Sequence, residues 1–184
     1  MFYKKNIELL GIKNKILADE ISKMFFVFAE ENIEPYPTES GDEIFACKGL
    51  LLEDIIDPKA TSLAIYEENI PKDFNENDII VVFGLGAGFL LKTVMSKTKS
   101  KVVLVEPKID ILRYSIEFVD YSTEFSKDNL FIAKNTDEAF SLVKNMFASK
   151  SQGLRIVYPD AYIQLLPEEL DSLQTKLTEL VSEA

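Results

Sequence analysis

Three glycines and one glutamate have the residue types and spacing best suited to ligand chemistry. Gly84, Gly86 and Gly88 follow an apolar run, and Glu106 follows the next apolar run along the chain. Glycine lets the backbone approach a ligand closely, and the start of the next helix presents unpaired N–H groups. This pattern suits a phosphate, a carboxylate or a ribose, with Glu106 accepting hydrogen bonds from the ribose hydroxyls. The structural alternative is a set of glycines that allow tight strand–helix packing, with Glu106 as a solvated cap of the next helix.

The glycine spacing is similar to that of S-adenosylmethionine-dependent methyltransferases. Dinucleotide-binding folds use G-x-G-x-x-G, which would put the third glycine at Phe89, whereas here it is Gly88. Two features depart from the methyltransferase pattern: Val82 stands where those enzymes usually carry an acidic residue, and the stretch 158–162 only partly matches their catalytic motif. Asp160, in that stretch, has two interpretations, a polar group at the ligand crevice or an ordinary turn residue.

The composition excludes several classes of site and partner. The 184 residues contain no histidine and one cysteine, Cys47. Ser-His-Asp and Cys-His nucleophile systems, histidine metal sites and cysteine zinc sites are therefore excluded, and we predict no metal. A net charge of −11 disfavours nucleic acid and anionic membranes as partners. No apolar run approaches the ~20 residues that span a bilayer, and the lone cysteine predicts a cytoplasmic location.

Alternating strand and helix patterns must position these residues. Four apolar runs predict parallel strands at 79–83, 102–105, 129–133 and 154–158. Helical spacing predicts helices at about 87–97, 109–119 and 137–148, and from Pro167 onward. The alternation predicts an α/β fold, a Rossmann-like, mostly parallel sheet with helices on both faces, and we assign it to residues 78–184.

Residues 1–77 are predicted to form a smaller segment of mixed α and β structure. Helical spacing runs through 1–32, with Gly11 as the expected break. The apolar run 24–28 is expected to be buried.

Turn residues divide the second half of this segment. Two short runs on either side of Gly41 predict a hairpin, and a third apolar run follows at 50–52. Asp57 and Pro58 predict the cap and the first residue of a helix that ends near Asn69.

A family resemblance covers more of the chain than the methyltransferase spacing does. It is carried by the segment VVFGLGAGFLLKTVMSKTKSKVVLVEPKIDILRYSIEFVDYS, which resembles the N-terminal domain of motility-associated factor (Maf) proteins, relatives of the DUF115 family. The shared features are the glycine turn, the Glu106-Pro107 pair, and an upstream stretch from Gly41-Asp42 through Leu52-Glu53 to Asp57-Pro58. The resemblance extends over residues 33–165.

The resemblance implies a function. Maf proteins are bacterial and glycosyltransferase-like, and they attach nonulosonic acids such as pseudaminic or legionaminic acid to flagellin. Their transfer chemistry is attributed to a central domain, which here would lie beyond Ala184. The chain would then be an auxiliary front domain, with a C-terminal catalytic domain or another protein as its partner.

Three hypotheses follow for the function. The first is an accessory domain of a Maf-type protein that binds a nucleotide or nucleotide-sugar through Gly84, Gly86, Gly88 and Glu106. The second is a methyltransferase in which the glycines hold the carboxylate of S-adenosylmethionine and Glu106 holds its ribose. The third is a Rossmann-like scaffold used for protein contacts.

Overall fold

The computed structural model describes residues 2–24 and 33–183. Within that part of the chain, a group of short elements precedes the central sheet. They are α1 (Tyr3–Lys13), α2 (Lys15–Ser22), β1 (Ile33–Pro37), β2 (Glu43–Cys47), β3 (Leu50–Leu51) and α3 (Pro58–Asn69). The three strands pair antiparallel in the order β1-β2-β3, which confirms the predicted hairpin and adds the third run to it.

The break between the first two helices lies at Asn14. The Asn14 side chain accepts a hydrogen bond from the Leu17 N–H at 3.1 Å and so caps the start of α2. The expected break at Gly11 was wrong, because Gly11 lies inside α1. The expected burial of 24–28 falls, from residue 25 onward, outside the described residues.

Helix α3 begins as the sequence predicts. Asp57 Oδ1 accepts hydrogen bonds from the N–H groups of Lys59 and Ala60 at 3.1 and 2.9 Å, and Pro58 is the first helical residue. This cap fixes the position of the first turn of α3, which lies at the edge of the cleft described below.

A parallel sheet of four strands forms the centre of the molecule. Its strands are β4 (Ile79–Phe83), β5 (Lys101–Val105), β6 (Leu130–Ala133) and β7 (Leu154–Val157). They lie in the order β6-β5-β4-β7, and all three pairings are parallel. Every residue of β4 is buried, as expected for a central strand covered on both faces.

Helices cover both faces of this sheet, as predicted. The remaining helices are α4 (Phe89–Lys97), α5 (Ile109–Phe118), α6 (Ser122–Phe125), α7 (Thr136–Met146), α8 (Ala161–Leu165) and α9 (Pro167–Glu183). Side chains of α1, α2, α4 and α5 pack with Ile80 and Val82 of β4, whereas those of α7 and α9 pack with Ile79, Val81 and Phe83. The short helices α6 and α8 were not predicted from the sequence.

The hairpin packs against the end of the sheet where the glycine turn lies. Phe45 and Leu52 share a buried cluster with Ala87 of the turn and Tyr114 of α5. The Phe45 and Tyr114 rings meet edge to face with centroids 4.9 Å apart. This packing brings Glu53, which follows Leu52, to the turn. The predicted division into 1–77 and 78–184 stays a prediction. Within residues 2–24 and 33–183, none of the helices has the combination of length and hydrophobicity that a membrane span needs.

Candidate functional site

The glycine turn lies between the end of β4 and the start of α4. Gly84, Gly86 and Gly88 all have positive φ, at 90°, 50° and 86°. Helix α4 begins at Phe89, two residues later than predicted, because the left-handed conformation of Gly88 precedes it. The turn is therefore at the carboxyl end of the parallel strands, where α/β folds place their ligands.

The backbone N–H groups of this turn bind the protein's own side chains. Three consecutive groups donate to residues from three other segments: Leu85 N to Glu106 Oε2 (2.8 Å), Gly86 N to Tyr162 Oη (3.0 Å) and Ala87 N to Glu53 Oε1. The groups on either side donate to backbone carbonyls, Gly84 N to Val105 O (2.9 Å) and Gly88 N to Leu85 O (2.7 Å). Each N–H that the sequence suggested for a ligand thus already has an acceptor in the protein.

Glu106 lies beside the turn, as its place after β5 predicts, but it is only 2% exposed. Its Oε2 accepts hydrogen bonds from Leu85 N and from Tyr162 Oη, the latter at 2.5 Å, and its Oε1 accepts from Lys108 N at 3.0 Å. Burial raises the pKa of Glu106 to about 7. The three hydrogen bonds have the opposite effect on this pKa, but burial is the larger effect. Glu106 is thus not a solvated carboxylate, and its role toward a ligand stays a prediction.

Glu53 is a site residue that was not predicted from the sequence. It follows β3, is half-buried, and accepts hydrogen bonds from Ala87 N and, at 3.5 Å, from Phe45 N. Burial raises the pKa of Glu53 to about 8, and the charge of nearby Glu106 raises it further. The available signal was the Leu52-Glu53 pair within the upstream stretch of the family resemblance.

Tyr162 is the second residue that was missed. It lies in α8, is fully buried, and packs its ring edge to face against Phe83 with centroids 6.0 Å apart. Its hydroxyl accepts from Gly86 N and donates to Glu106, so it connects the turn to the end of β5. Burial raises the pKa of Tyr162 well above its ordinary value, which keeps the phenol protonated.

The spaces beside the three glycines are filled by other side chains. A Cβ atom at Gly84 would lie 2.5 Å from the ring of Tyr162. A Cβ at Gly86 would collide with the carboxyl group of Glu53, and one at Gly88 would collide with the phenol of Tyr121. Close packing therefore requires glycine at these positions, which agrees with the structural interpretation of the motif.

Replacing Tyr162 with phenylalanine tests the hydrogen bonds of the turn. Tyr162→Phe leaves Gly86 N without an acceptor and removes a donor from Glu106, both in a buried environment. We expect a loss of about 2–3 kcal/mol in the free energy of unfolding, measured by urea denaturation.

The matched control for that experiment is Tyr158→Phe. Tyr158 is half-buried, and its hydroxyl accepts one hydrogen bond, from Gln174 Nε2 at 3.1 Å. We expect a loss below about 1 kcal/mol. Equal losses in the two variants would show that the Tyr162 hydroxyl does not hold the turn.

Asp160 lines a cleft of about 260 Å³ beside the turn, and Glu106 does not line it. Asp160 is exposed, it precedes α8, and its side chain does not cap that helix. Glu53 also lines this cleft. The structure therefore groups the three glycines with Glu106 and puts Asp160 in a neighbouring position, where its binding role stays a prediction.

The arrangement has a limited chemical repertoire. Glu53 and Glu106 are carboxyl groups with raised pKa values, and both point into the turn. Among residues 2–24 and 33–183, no group of three or more Cys, Asp or Glu side chains is arranged to hold a metal ion. What the site does is join three distant segments of the chain through one turn.

Comparison with known proteins identifies the family. The family model for the glycosyltransferase Maf N-terminal domain matches residues 36–154. The fold is similar to that of the Maf glycosyltransferase from Magnetospirillum magneticum AMB-1, with a TM-score of 0.58 and 13% sequence identity. That match covers 98% of this chain but only 34% of the other. A comparison with curated protein sequences gave no match. Because the family model matches well over half of the sequence, the chain belongs to the glycosyltransferase Maf N-terminal domain family.

Proposed function

We propose that this chain is an accessory domain of a Maf-type glycosyltransferase that takes part in flagellin glycosylation with nonulosonic acids. In this proposal the glycine turn holds the domain together and carries no permanent ligand. The Maf role is supported by the family model that matches residues 36–154. The turn without a ligand is supported by its three N–H groups, which donate to Glu106, Tyr162 and Glu53.

Entry of a ligand into the turn has a physical cost. A nucleotide phosphate or a carboxylate at Gly86 and Ala87 must displace the Tyr162 hydroxyl and the Glu53 carboxyl group. A ribose at Glu106 must replace the bond from Tyr162 and reach a side chain that is 2% exposed. Unpaired buried polar groups each cost about 1–3 kcal/mol, so a ligand must pair again the groups that it displaces in order to bind tightly.

A methyltransferase is the alternative function. It is favoured by one observation, the position of Glu106 at the end of β5 beside a G-x-G-x-G turn. In that case the turn would hold the carboxylate of S-adenosylmethionine and Glu106 its ribose. Binding of S-adenosylmethionine would then have to move Tyr162 out of the turn, and replacing Glu106 would abolish this binding.

Isothermal titration calorimetry separates these functions. We expect no micromolar binding of S-adenosylmethionine, S-adenosylhomocysteine or CMP by this chain. Micromolar binding of S-adenosylhomocysteine that is lost in Glu106→Gln would support the methyltransferase instead. Binding of CMP alone would indicate a sugar-nucleotide site in this domain and contradict a ligand-free turn.

A transfer assay tests the accessory role. The chain is incubated with flagellin and a CMP-activated nonulosonic acid, and the mass of flagellin is measured. We expect no change in mass, because the proposal assigns the transfer chemistry to another part of the glycosyltransferase. Addition of the sugar by this chain alone would contradict the proposal.

A further inference from the structure

We propose that the cleft beside the turn binds a small ligand that is rich in hydrogen-bond donors and carries no negative charge. The cleft lies between β3, the start of α3 and the start of α8, and it has a volume of about 260 Å³. It is separate from the interior of the glycine turn, and Glu53 lies between the two. This site goes beyond the proposed function and does not depend on it.

Ser62 is the first observation that indicates a ligand. It lies in α3, lines the cleft, and is only 5% exposed. Its hydroxyl group makes no hydrogen bond within the described part of the chain. The Ser62 oxygen is not shut off from solvent, so it is open to the cleft that the residue lines and can pair with a molecule that enters there.

Two carboxylates supply acceptors around the same cleft. Asp54 Oδ1 accepts from the N–H groups of Ile56 and Asp57, at 2.9 and 2.8 Å, and this leaves Oδ2 free for a ligand. Asp160 is exposed on the other wall, formed by the residues before α8. Carboxylates accept hydrogen bonds and donate none when ionised, so the ligand must supply O–H or N–H groups.

The charge of the lining excludes an anionic ligand. No lysine or arginine is among the described residues that line the cleft. Lys59, next to the cleft residue Pro58, is 2.7 Å from Asp42 and pairs with it instead. A phosphate or a sugar carboxylate would face the carboxylates of Asp54 and Asp160 without a compensating cation.

Size and apolar surface restrict the ligand further. Pockets for drug-sized ligands measure roughly 300–1,000 Å³, and this cleft is smaller. Its partly exposed apolar lining, from Leu50, Leu51 and Ile65, can contact the C–H face of a ring. The two ligand types that meet these conditions are a neutral monosaccharide and a small amine or amino sugar.

The test is a chemical-shift titration of the ¹⁵N-labelled chain, followed by NMR. The probes are methyl glucoside, glucosamine and N-acetylneuraminic acid, which are neutral, cationic and anionic. We expect one or both of the first two to shift the amides of Ser62 and Gln164 at millimolar concentrations. A response to methyl glucoside identifies hydroxyl groups as the donors, and a response to glucosamine alone identifies the ammonium group.

Two variants connect the binding to the named side chains. Ser62→Ala should weaken binding roughly 3- to 10-fold, which is the range for one hydrogen bond, and Asp160→Asn should weaken glucosamine binding about 10-fold. Ser62→Ala removes an unpaired hydroxyl group from a helix and should fold normally. The controls are Ser96→Ala on α4, where the hydroxyl bonds Thr93 O, and Asp128→Asn before β6, and both should bind as the wild type does.

Three results would contradict the proposal that this cleft binds a ligand. They are the absence of shifts at Ser62 and Gln164 with all three probes, a preference for N-acetylneuraminic acid, and unchanged affinity in both Ser62→Ala and Asp160→Asn.

Discussion

Gly84→Ala should lower the free energy of unfolding by roughly 3–5 kcal/mol, which is the largest effect that we expect from a single methyl group in this chain. Two costs combine at this position. The backbone of Gly84 has φ of +90°, a conformation that costs a residue with a side chain about 1–2 kcal/mol. The new Cβ would also lie 2.5 Å from the Tyr162 ring.

The ring of Tyr162 has little freedom to make room. It is fully buried against Phe83, and its hydroxyl bonds both Gly86 N and Glu106 Oε2. A shift of the ring therefore breaks the hydrogen bonds of the turn as well as the packing. Equilibrium urea denaturation measures the effect.

Gly41→Ala is the matched control for Gly84→Ala. Gly41 has φ of +84°, close to that of Gly84, but no heavy atom lies within 4 Å of an added Cβ. We expect a loss of about 1–2 kcal/mol, from the backbone alone. If the two variants lose the same stability, the contact between Gly84 and Tyr162 does not hold the turn.

The second large effect concerns pH. We expect the free energy of unfolding to fall by about 2–4 kcal/mol between pH 5 and pH 8.5, which is opposite to the usual effect of buried, ion-paired carboxylates. The reason is that Glu53 and Glu106 have pKa values of about 8 and about 7 in the folded chain, against an ordinary value of 4.5.

The sign follows from proton binding. Between pH 4.5 and these raised values, the folded chain holds protons that the unfolded chain has released. The stabilisation is therefore complete at low pH and is lost as the pH rises through about 7 and then about 8. Urea denaturation at a series of pH values measures the slope directly.

Glu53→Gln isolates the contribution of one carboxyl group. Glutamine can still accept the hydrogen bond from Ala87 N, but it does not titrate, so the fall in stability above pH 7 should become shallower. Glu39→Gln is the control, because Glu39 is exposed and its replacement makes the same change in net charge. An unchanged slope in Glu53→Gln, or a wild-type chain that gains stability toward pH 8.5, would contradict this account.

The sequence predicted the local part of the fold and of the site. Strands and helices alternate with clear periods, so the parallel sheet and the turn at Gly84 to Gly88 could be located from neighbouring residues alone. The position of Glu106 at the end of β5 followed from the same pattern. The break at Asn14 was missed because a side-chain cap, and not a weak helix former, decides it.

The partners of the turn could not be predicted in the same way. Glu53 lies 34 positions from Ala87, and Tyr162 lies 76 positions from Gly86. Only the packing of the hairpin and of α8 against the end of the sheet brings them to the turn. Helix α8 has five residues, which is too short for a helical period to be recognised.

Amide hydrogen exchange at Leu85, Gly86 and Ala87, followed by NMR in the ligand-free chain, tests the central claim most directly. The claim is that the protein's own side chains occupy the N–H groups of the turn. We predict that all three amides exchange slowly, with protection close to that of the buried amides of β4, and that Glu53→Ala and Tyr162→Phe, which remove the acceptors, lower the protection at Ala87 and Gly86 respectively. Fast exchange at these three amides, with slow exchange in β4, would show an open turn and would contradict the account.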